Sequence, residues 1–390
     1  MRILFIANSN GLAEGSVIAL LSIIEEVKSR GHEILVSFPT YGEAQKRCEQ
    51  MGVKTDVVMH WNSIYPKYVT FKSFLAIPYK LFRNCWQNRR AVQRIIKLIA
   101  DFKPDVVHTN VGTVNVGYYA AKRMEVPHVW HIREMAEKNL GYHPLPTLGY
   151  KKRLQHRNDA NIAITQDVFN FYGLSNQNSR VIYDGVFKGG KAPQIELNKD
   201  KYFLFVGRIC EGKGTRWATD AFLSIKDKYP DYKLLIAGEG DNQYALNIRE
   251  RCKEEVANGR IEFLGFRSDV YDLMRHATAL LVPSEREGFG FITAEAMYNG
   301  CLVIGRNSGG TKEQLDNGLK KTGKEIGLRF ETIHELEKKM SDVCERGVDY
   351  YKDMIKRAQE TVVSLYTVEN NVDQILALYE SLTIRCNLNI

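Results

Sequence analysis

Apolar positions along the chain follow two periods, and the two alternate. Short apolar runs of the kind that form strands buried on both faces recur at Ile3–Ala7, Glu33–Ser37, Asp105–His108, Val126–Ile132, Asn161–Thr165 and Arg180–Tyr183. Between them apolar residues return at helical spacing. Val17, Leu20, Leu21, Ile24 and Val27 trace one such helix, which Gly31 is placed to end. A second series starts at Tyr202–Val206 and continues through Lys233–Ala237, Ile261–Phe266, Ala279–Val282 and Cys301–Ile304. Helices run through Ala221, Phe222 and Ile225, and through Val270, Leu273 and Met274. Amphipathic helices at Met354–Leu365 and Val368–Leu382 close the chain. This alternation predicts an α/β protein of two similar doubly wound halves with a cleft between them. The polar, glycine-rich stretch Lys188–Pro193 is the expected linker.

Three junctions carry candidate chemistry. Each is a strand, a glycine loop and a helix, a geometry that turns backbone N–H groups toward a ligand. The first, Asn10–Ser16, holds Gly15 and Ser16; a plain structural turn explains it as well. The second, Gly207–Gly214, adds Arg208 and Lys213. Arginine grips phosphate through forked hydrogen bonds and lysine acts as a point charge, so the pair suits a diphosphate. The spacing is neither that of a Walker A loop nor Gly-x-Gly-x-x-Gly, which weakens a nicotinamide dinucleotide reading. The third, Ser284–Met297, has Glu287 before its glycines, Gly288 and Gly290, and Glu295 in the following helix. Alone, it reads equally as a turn and a helix with a surface glutamate. His131 sits near the C-terminal end of its strand, where open α/β sheets bind ligands, with Arg133 and Glu134 directly after it.

Charge changes the picture of the first half. The net charge is +8; residues 1–190 hold 25 Lys and Arg against 15 Asp and Glu, and residues 191–390 hold 29 against 31. From Lys67 to Lys103 the aromatic residues Tyr68, Phe71, Phe74, Tyr79, Phe82 and Trp86 are interleaved with cations, and Asp101 is the only acid. That pattern fits an anionic membrane surface, single-stranded nucleic acid, or merely the solvated basic face of a helical pair. The membrane is the favoured partner, and nucleic acid is not expected. Within this stretch Val92, Ile95, Ile96 and Ile99 have the spacing of a core face. No run approaches the ~20 apolar residues of a membrane span. The seven dispersed cysteines show no zinc spacing and fit a reducing cytosol.

Taken in order, these motifs resemble the retaining glycosyltransferases of family four, whose architecture of two Rossmann-like domains is called GT-B. Val206-Gly207-Arg208 through Lys213-Gly214, Gly238-Glu239-Gly240, Leu264-Gly265-Phe266, Glu287 through Glu295, and Gly309-Gly310 with Glu313 match its landmarks over nearly the whole chain. The resemblance implies an acceptor-side domain at 1–187, a nucleotide-sugar domain at 188–367, and a helix at about 368–384 that returns to the first. It implies that Arg208 and Lys213 stabilise the departing nucleoside diphosphate, with Gly15 and Ser16 against it. Glu295 would hold the ribose. Glu287 and the backbone of Gly288, Phe289, Gly290 and Phe291 would hold the donor sugar, and His131 would approach that sugar. The backbone near Phe266 would meet the base, and Gly207 and Gly238 would belong to the nucleotide-sugar site. The expected activity is metal-independent, hexosyltransferase-type transfer with retention, from a UDP- or GDP-sugar to a glycan or lipid-linked acceptor. It would serve bacterial-type surface polysaccharide synthesis, in the cytoplasm or at the inner face of its membrane, with no cofactor. Glu14, where the family usually has glycine, is a departure that sets a carboxylate beside the first loop.

Two other classes share the architecture: nucleotide-sugar epimerases, which use a different set of acids, and non-enzymatic nucleotide-sugar-binding adaptors. Glycoside hydrolysis by Glu287 and Glu295 would need the two carboxyls ~5–9 Å apart across one sugar. A strand–loop–helix junction favours placing them at the two ends of a ligand instead.

Overall fold

In the computed structural model the described residues are 1–12, 14–65, 71–135, 143–145, 150–154, 159–175, 177–240 and 242–387. They form two units, Met1–Lys188 with Val368–Ile390, and Gly189–Thr367.

The first unit is built on a parallel sheet of β1 (Arg2–Ile6), β2 (Glu33–Phe38), β3 (Lys54–Val57), β4 (Val106–Thr109), β5 (His128–Ile132), β6 (Asp159–Ala163) and β7 (Ser179–Val181). Their spatial order is β3-β2-β1-β4-β5-β6-β7. The order reverses between β1 and β4, which pair with Ile3 opposite Val106. A doubly wound sheet opens its ligand crevice at such a reversal, outside the C-terminal strand ends. β1 is apolar without alternation because both of its faces are covered. On one face lie the helices Gly15–Ser29 and Val368–Asn387, whose Ile24, Val372, Ile375 and Tyr379 share a core with Ile3 and Phe5. On the other, Val92, Ile95 and Ile99 of the helix Ile77–Phe102 pack on Leu4, Ile6 and Val107.

The second unit holds β8 (Asp200–Val206), β9 (Lys233–Ala237), β10 (Ile261–Gly265), β11 (Ala277–Val282), β12 (Val303–Arg306) and β13 (Leu328–Phe330). They are parallel in the order β10-β9-β8-β11-β12-β13, with the reversal between β8 and β11. Phe203, Phe205, Leu281 and Ile304 form the centre of its core.

Two strands escape the hydrophobic pattern. β3 is a sheet edge whose residues Lys54-Thr55-Asp56-Val57 are no more than half-buried, so burial never demanded apolar residues there. β13, also an edge strand, has only three residues, too few to show a period. The polar helix Glu43–Gln50 is missed for a related reason: it buries only Ala44, Gln45 and Cys48.

Of the basic aromatic stretch, residues 66–70, including Lys67 and Tyr68, lie outside the described residues. The rest lies in the short helix Phe71–Leu75 and the helix Ile77–Phe102. Val92, Ile95 and Ile99 are core, and Ile96 is half-buried against it. Upstream, Phe71, Leu75, Tyr79, Phe82 and Trp86 are exposed.

Candidate active site

The site grows from the two central strands of the second unit. β8 delivers Gly207 and Arg208, a short 3-10 turn Glu211–Lys213 follows, and Gly214 starts the helix Thr215–Ile225. β11 ends at Val282, and its loop leads through Glu287 to the helix Phe291–Tyr298. Two glycines lock these loops together. Gly214 has φ +70°, and a Cβ there would lie 2.4 Å from the carbonyl oxygen of Pro283. Gly238, with φ +143°, would set a Cβ 2.0 Å from the Gly207 carbonyl oxygen. Any side chain would force these backbones apart. Amide bonds finish the framework: Ile209 donates to Glu239, and Gly310 donates to the carbonyl of Glu287, at 2.9 and 3.0 Å.

Onto this frame the chain brings residues 74 positions apart into contact. Lys213 Nζ donates to Glu287 Oε1 at 2.7 Å. The lysine is 30% exposed and the glutamate 12%, so the pair is partly shielded but reachable. Arg208 is exposed and makes no hydrogen bond or ion pair among the described residues. One loop therefore offers an uncommitted guanidinium and an ammonium whose partner can be exchanged, beside a helix N-terminus that favours negative charge.

Glu295 is half-buried in the helix after Glu287 and accepts a hydrogen bond from Tyr271 Oη at 3.3 Å. Burial pushes its carboxyl pKa above the ordinary value, against the Tyr271 hydrogen bond. Tyr271 is a partner that sequence reading missed, because only the apolar positions of its helix had been weighed. Phe266, just past β10, is 79% exposed. Phe289 is different: its ring is buried against Tyr366 and Phe291, and its carbonyl accepts from Gln314 Nε2 at 2.7 Å. Any ligand contact by Phe289 must come from its backbone.

In the first unit, Gly15 is the first residue of its helix and is exposed. The Glu14 carboxylate is held by Ser9 Oγ at 2.5 Å and Asn8 Nδ2 at 3.4 Å, within its own loop. Asn8 Nδ2 also donates to Ser16 Oγ at 3.2 Å.

His131, expected to approach the donor sugar, is wholly buried, and among the described residues its Nε2 has no hydrogen-bond partner. Nδ1 lies 3.2 Å from His108 Nε2 and 3.3 Å from Arg133 Nη2, and Nε2 lies 3.9 Å from Asp184 Oδ1. His108 in turn meets Tyr379 Oη at 2.5 Å. Burial, with Arg133 adding to it, drives the pKa of both histidines well below the usual value, so both are neutral. The strand turns His131 inward against His108, which Tyr379 of the helix Val368–Asn387 meets in turn; one residue past the strand's end comes Arg133 and then Glu134. Arg133 is buried, donating to Asp184 Oδ1 at 2.5 Å and to Asn110. Glu134 is half-buried, takes a 3.4 Å hydrogen bond from Thr113 Oγ1, and has its pKa pushed up to about 7 by burial. A charged pair directly after a buried strand was the available signal for these two residues. Asp184, after β7, offered a fainter one.

Among the described residues no group of three or more His, Cys, Asp and Glu is placed to hold a metal ion.

Two parallel, doubly wound units, one of which gathers an arginine, a lysine–glutamate pair and a second glutamate at its switch point, define an α/β protein of GT-B architecture. The chain belongs to the family-four, group 1 glycosyltransferases: the family described as "Glycosyl transferases group 1" matches residues 191–361, and "Glycosyltransferase Family 4" matches residues 13–187. It is 27% identical to an N-acetyl-alpha-D-glucosaminyl L-malate synthase of Bacillus anthracis, over 46% of this chain and 45% of that protein. It is 28% identical to a lipopolysaccharide core biosynthesis mannosyltransferase of Rhizobium meliloti, over 45% of this chain and 53% of that one. The chain thus spans about half the length of these curated relatives. In fold it is similar to the Anabaena protein HepE, solved with UDP-glucose: TM-score 0.72, 20% identity, 98% of this chain and 100% of that one.

Proposed function

We propose that the protein transfers a sugar, with retention, from a nucleoside-diphosphate sugar to a glycan or lipid-linked acceptor in bacterial-type surface polysaccharide synthesis. The observation that carries this reading is the Lys213–Glu287 contact with Arg208 uncommitted beside it. Breaking a glycosyl–phosphate bond builds negative charge on the leaving oxygen. Fixed cations and helix-terminal amides stabilise that charge most in the transition state, which lowers the barrier. Arg208, Lys213 and the N-terminus of the helix Thr215–Ile225 supply them. Glu287 holds Lys213 in position before the donor arrives and then accepts from the sugar hydroxyls. Glu295, oriented by Tyr271, accepts from the ribose. For retention, the departing phosphate takes the acceptor proton on the face it leaves. These groups make the chemistry metal-independent in this proposal, with no cofactor.

UDP is the preferred diphosphate, since HepE was solved with UDP-glucose; GDP-sugars are the comparison. His131, its ring held by Arg133 and Asp184, remains the residue of the first unit proposed to act on the sugar. The test is to incubate the protein with UDP- and GDP-sugars and acceptor lipid, and to follow free nucleoside diphosphate and the anomeric configuration of the product. An inverted product would remove the retaining mechanism.

We place the reaction in the cytoplasm, at the inner membrane face. Among the described residues no helix is long and apolar enough to cross a membrane. The helix Ile77–Phe102 instead exposes Tyr79, Phe82 and Trp86 among cations, with Arg90 stacked on Trp86 at 3.6 Å. Rings at headgroup depth with cations on anionic lipid give salt-sensitive binding. The protein is therefore expected to co-sediment with anionic vesicles at low salt and much less at high salt. No sedimentation at low salt would remove the membrane from the account.

A further inference from the structure

The first unit contains a cavity of about 530 Å³ that none of the motifs explains. It lies within the ~300–1,000 Å³ range of small-molecule sites. Leu81, Cys85, Asn88 and Val92 line it from the helix Ile77–Phe102, and Tyr119 and Arg123 from the helix Val116–Arg123. The first four recur at i, i+4, i+7 and i+11, so they form one stripe of the helix. The neighbouring stripe is the exposed Tyr79, Phe82 and Trp86. One helix thus carries both a wall of the cavity and the aromatic surface proposed to meet lipid.

The charge in the lining is of one sign. Arg89 and Arg123 both line the cavity, both are exposed, and no carboxylate is among the lining residues. Neither arginine makes a hydrogen bond or ion pair among the described residues. Two uncommitted guanidinium groups on an otherwise mainly apolar cavity complement an amphiphile with an anionic head, and guanidinium pairs with phosphate through two parallel hydrogen bonds. At another point of the lining Asn62 accepts from Thr113 Oγ1 at 3.2 Å, and the same hydroxyl reaches Glu134. The cavity therefore connects through one side chain to the end of β5.

We infer that this cavity binds a phosphate-bearing lipid, with its hydrocarbon chain against Leu81, Cys85, Val92 and Tyr119 and its phosphate on Arg89 and Arg123. The inference rests on the proposed transfer reaction only for identifying the lipid as its acceptor; the binding itself does not depend on it.

The probe is dodecyl phosphate below its micelle concentration, titrated calorimetrically into the full chain. Saturable binding of one molecule per chain is expected, with dodecanol and inorganic phosphate each weaker by about tenfold or more, since neither makes both sets of contacts. Leu81→Trp, which fills the cavity, and the double variant Arg89→Glu, Arg123→Glu are each expected to weaken binding by about tenfold or more. Melting temperature and UDP binding, measured alongside, show that each variant is folded. Binding unchanged in both folded variants would overturn the inference. So would capture by anionic phospholipid vesicles without any binding of dodecyl phosphate, which would leave a surface contact only. If the transfer reaction itself were misassigned, dodecyl phosphate would still bind while no nucleotide sugar turned over.

Discussion

Lys213→Ala is expected to lower turnover by about 10²–10³-fold, the usual loss when one group aimed at developing negative charge is removed. The change removes the cation that meets the leaving diphosphate. It also releases Glu287, whose carboxylate is then unpaired and close to where that diphosphate forms. The fold is expected to survive, because Lys213 is 30% exposed and lies on a short surface turn. The loop geometry depends on Gly214 against Pro283, not on the lysine side chain. The measurement is kcat with the best nucleotide sugar, alongside the melting temperature. Glu287→Gln breaks the same ion pair but keeps the ammonium, so the two variants separate loss of the cation from loss of the pair. An unchanged rate in Lys213→Ala would remove the diphosphate role.

Asp184→Ala is expected to be the most damaging single change to stability outside the apolar core. Side-chain exposures of 5% for Arg133 and 1% for Asp184 make this a buried pair. Removing one partner strands a buried charge, with a loss of about 3–5 kcal/mol. For a unit of about 200 residues that corresponds to a fall in melting temperature of about 6–20 °C. His131 and Asn110 also touch Arg133 and cannot neutralise it, since both are uncharged. Trp130 is wholly buried on the same strand, so its fluorescence, read in a Trp217→Phe background that silences the second unit, follows unfolding of this unit. The double variant Arg133→Met, Asp184→Leu removes both charges and is expected to recover part of the loss. A melting temperature unmoved by Asp184→Ala would show that the pair is not buried as described.

The sequence was most legible where one physical demand dominates. β1, β8 and β11 must be apolar on both faces, so they stand out as runs, and Gly214 in the loop after β8 follows from backbone crowding against Pro283. The Lys213–Glu287 contact could not be derived from the sequence, because it depends on β8 and β11 being neighbours through a crossover. The direction of the His131 side chain could not be read for a similar reason. Position near a strand's end says nothing about which face a side chain takes, and here the inner face is roofed by Tyr379, 248 positions later in the chain. The cavity beside Arg89 and Arg123 was invisible in sequence: its lining comes from two helices and two loops that share no motif.

The central claim is that the loops after β8 and β11 bind a nucleoside-diphosphate sugar and promote departure of its diphosphate. Its most direct test follows free UDP or GDP over hours from a panel of nucleotide sugars, with and without an extract of envelope lipids as acceptor. The account predicts release from at least one donor, faster with acceptor, and lost in Lys213→Ala. Saturable donor binding that Lys213→Ala leaves unchanged, with no diphosphate released from any donor in the presence of acceptor, would contradict it.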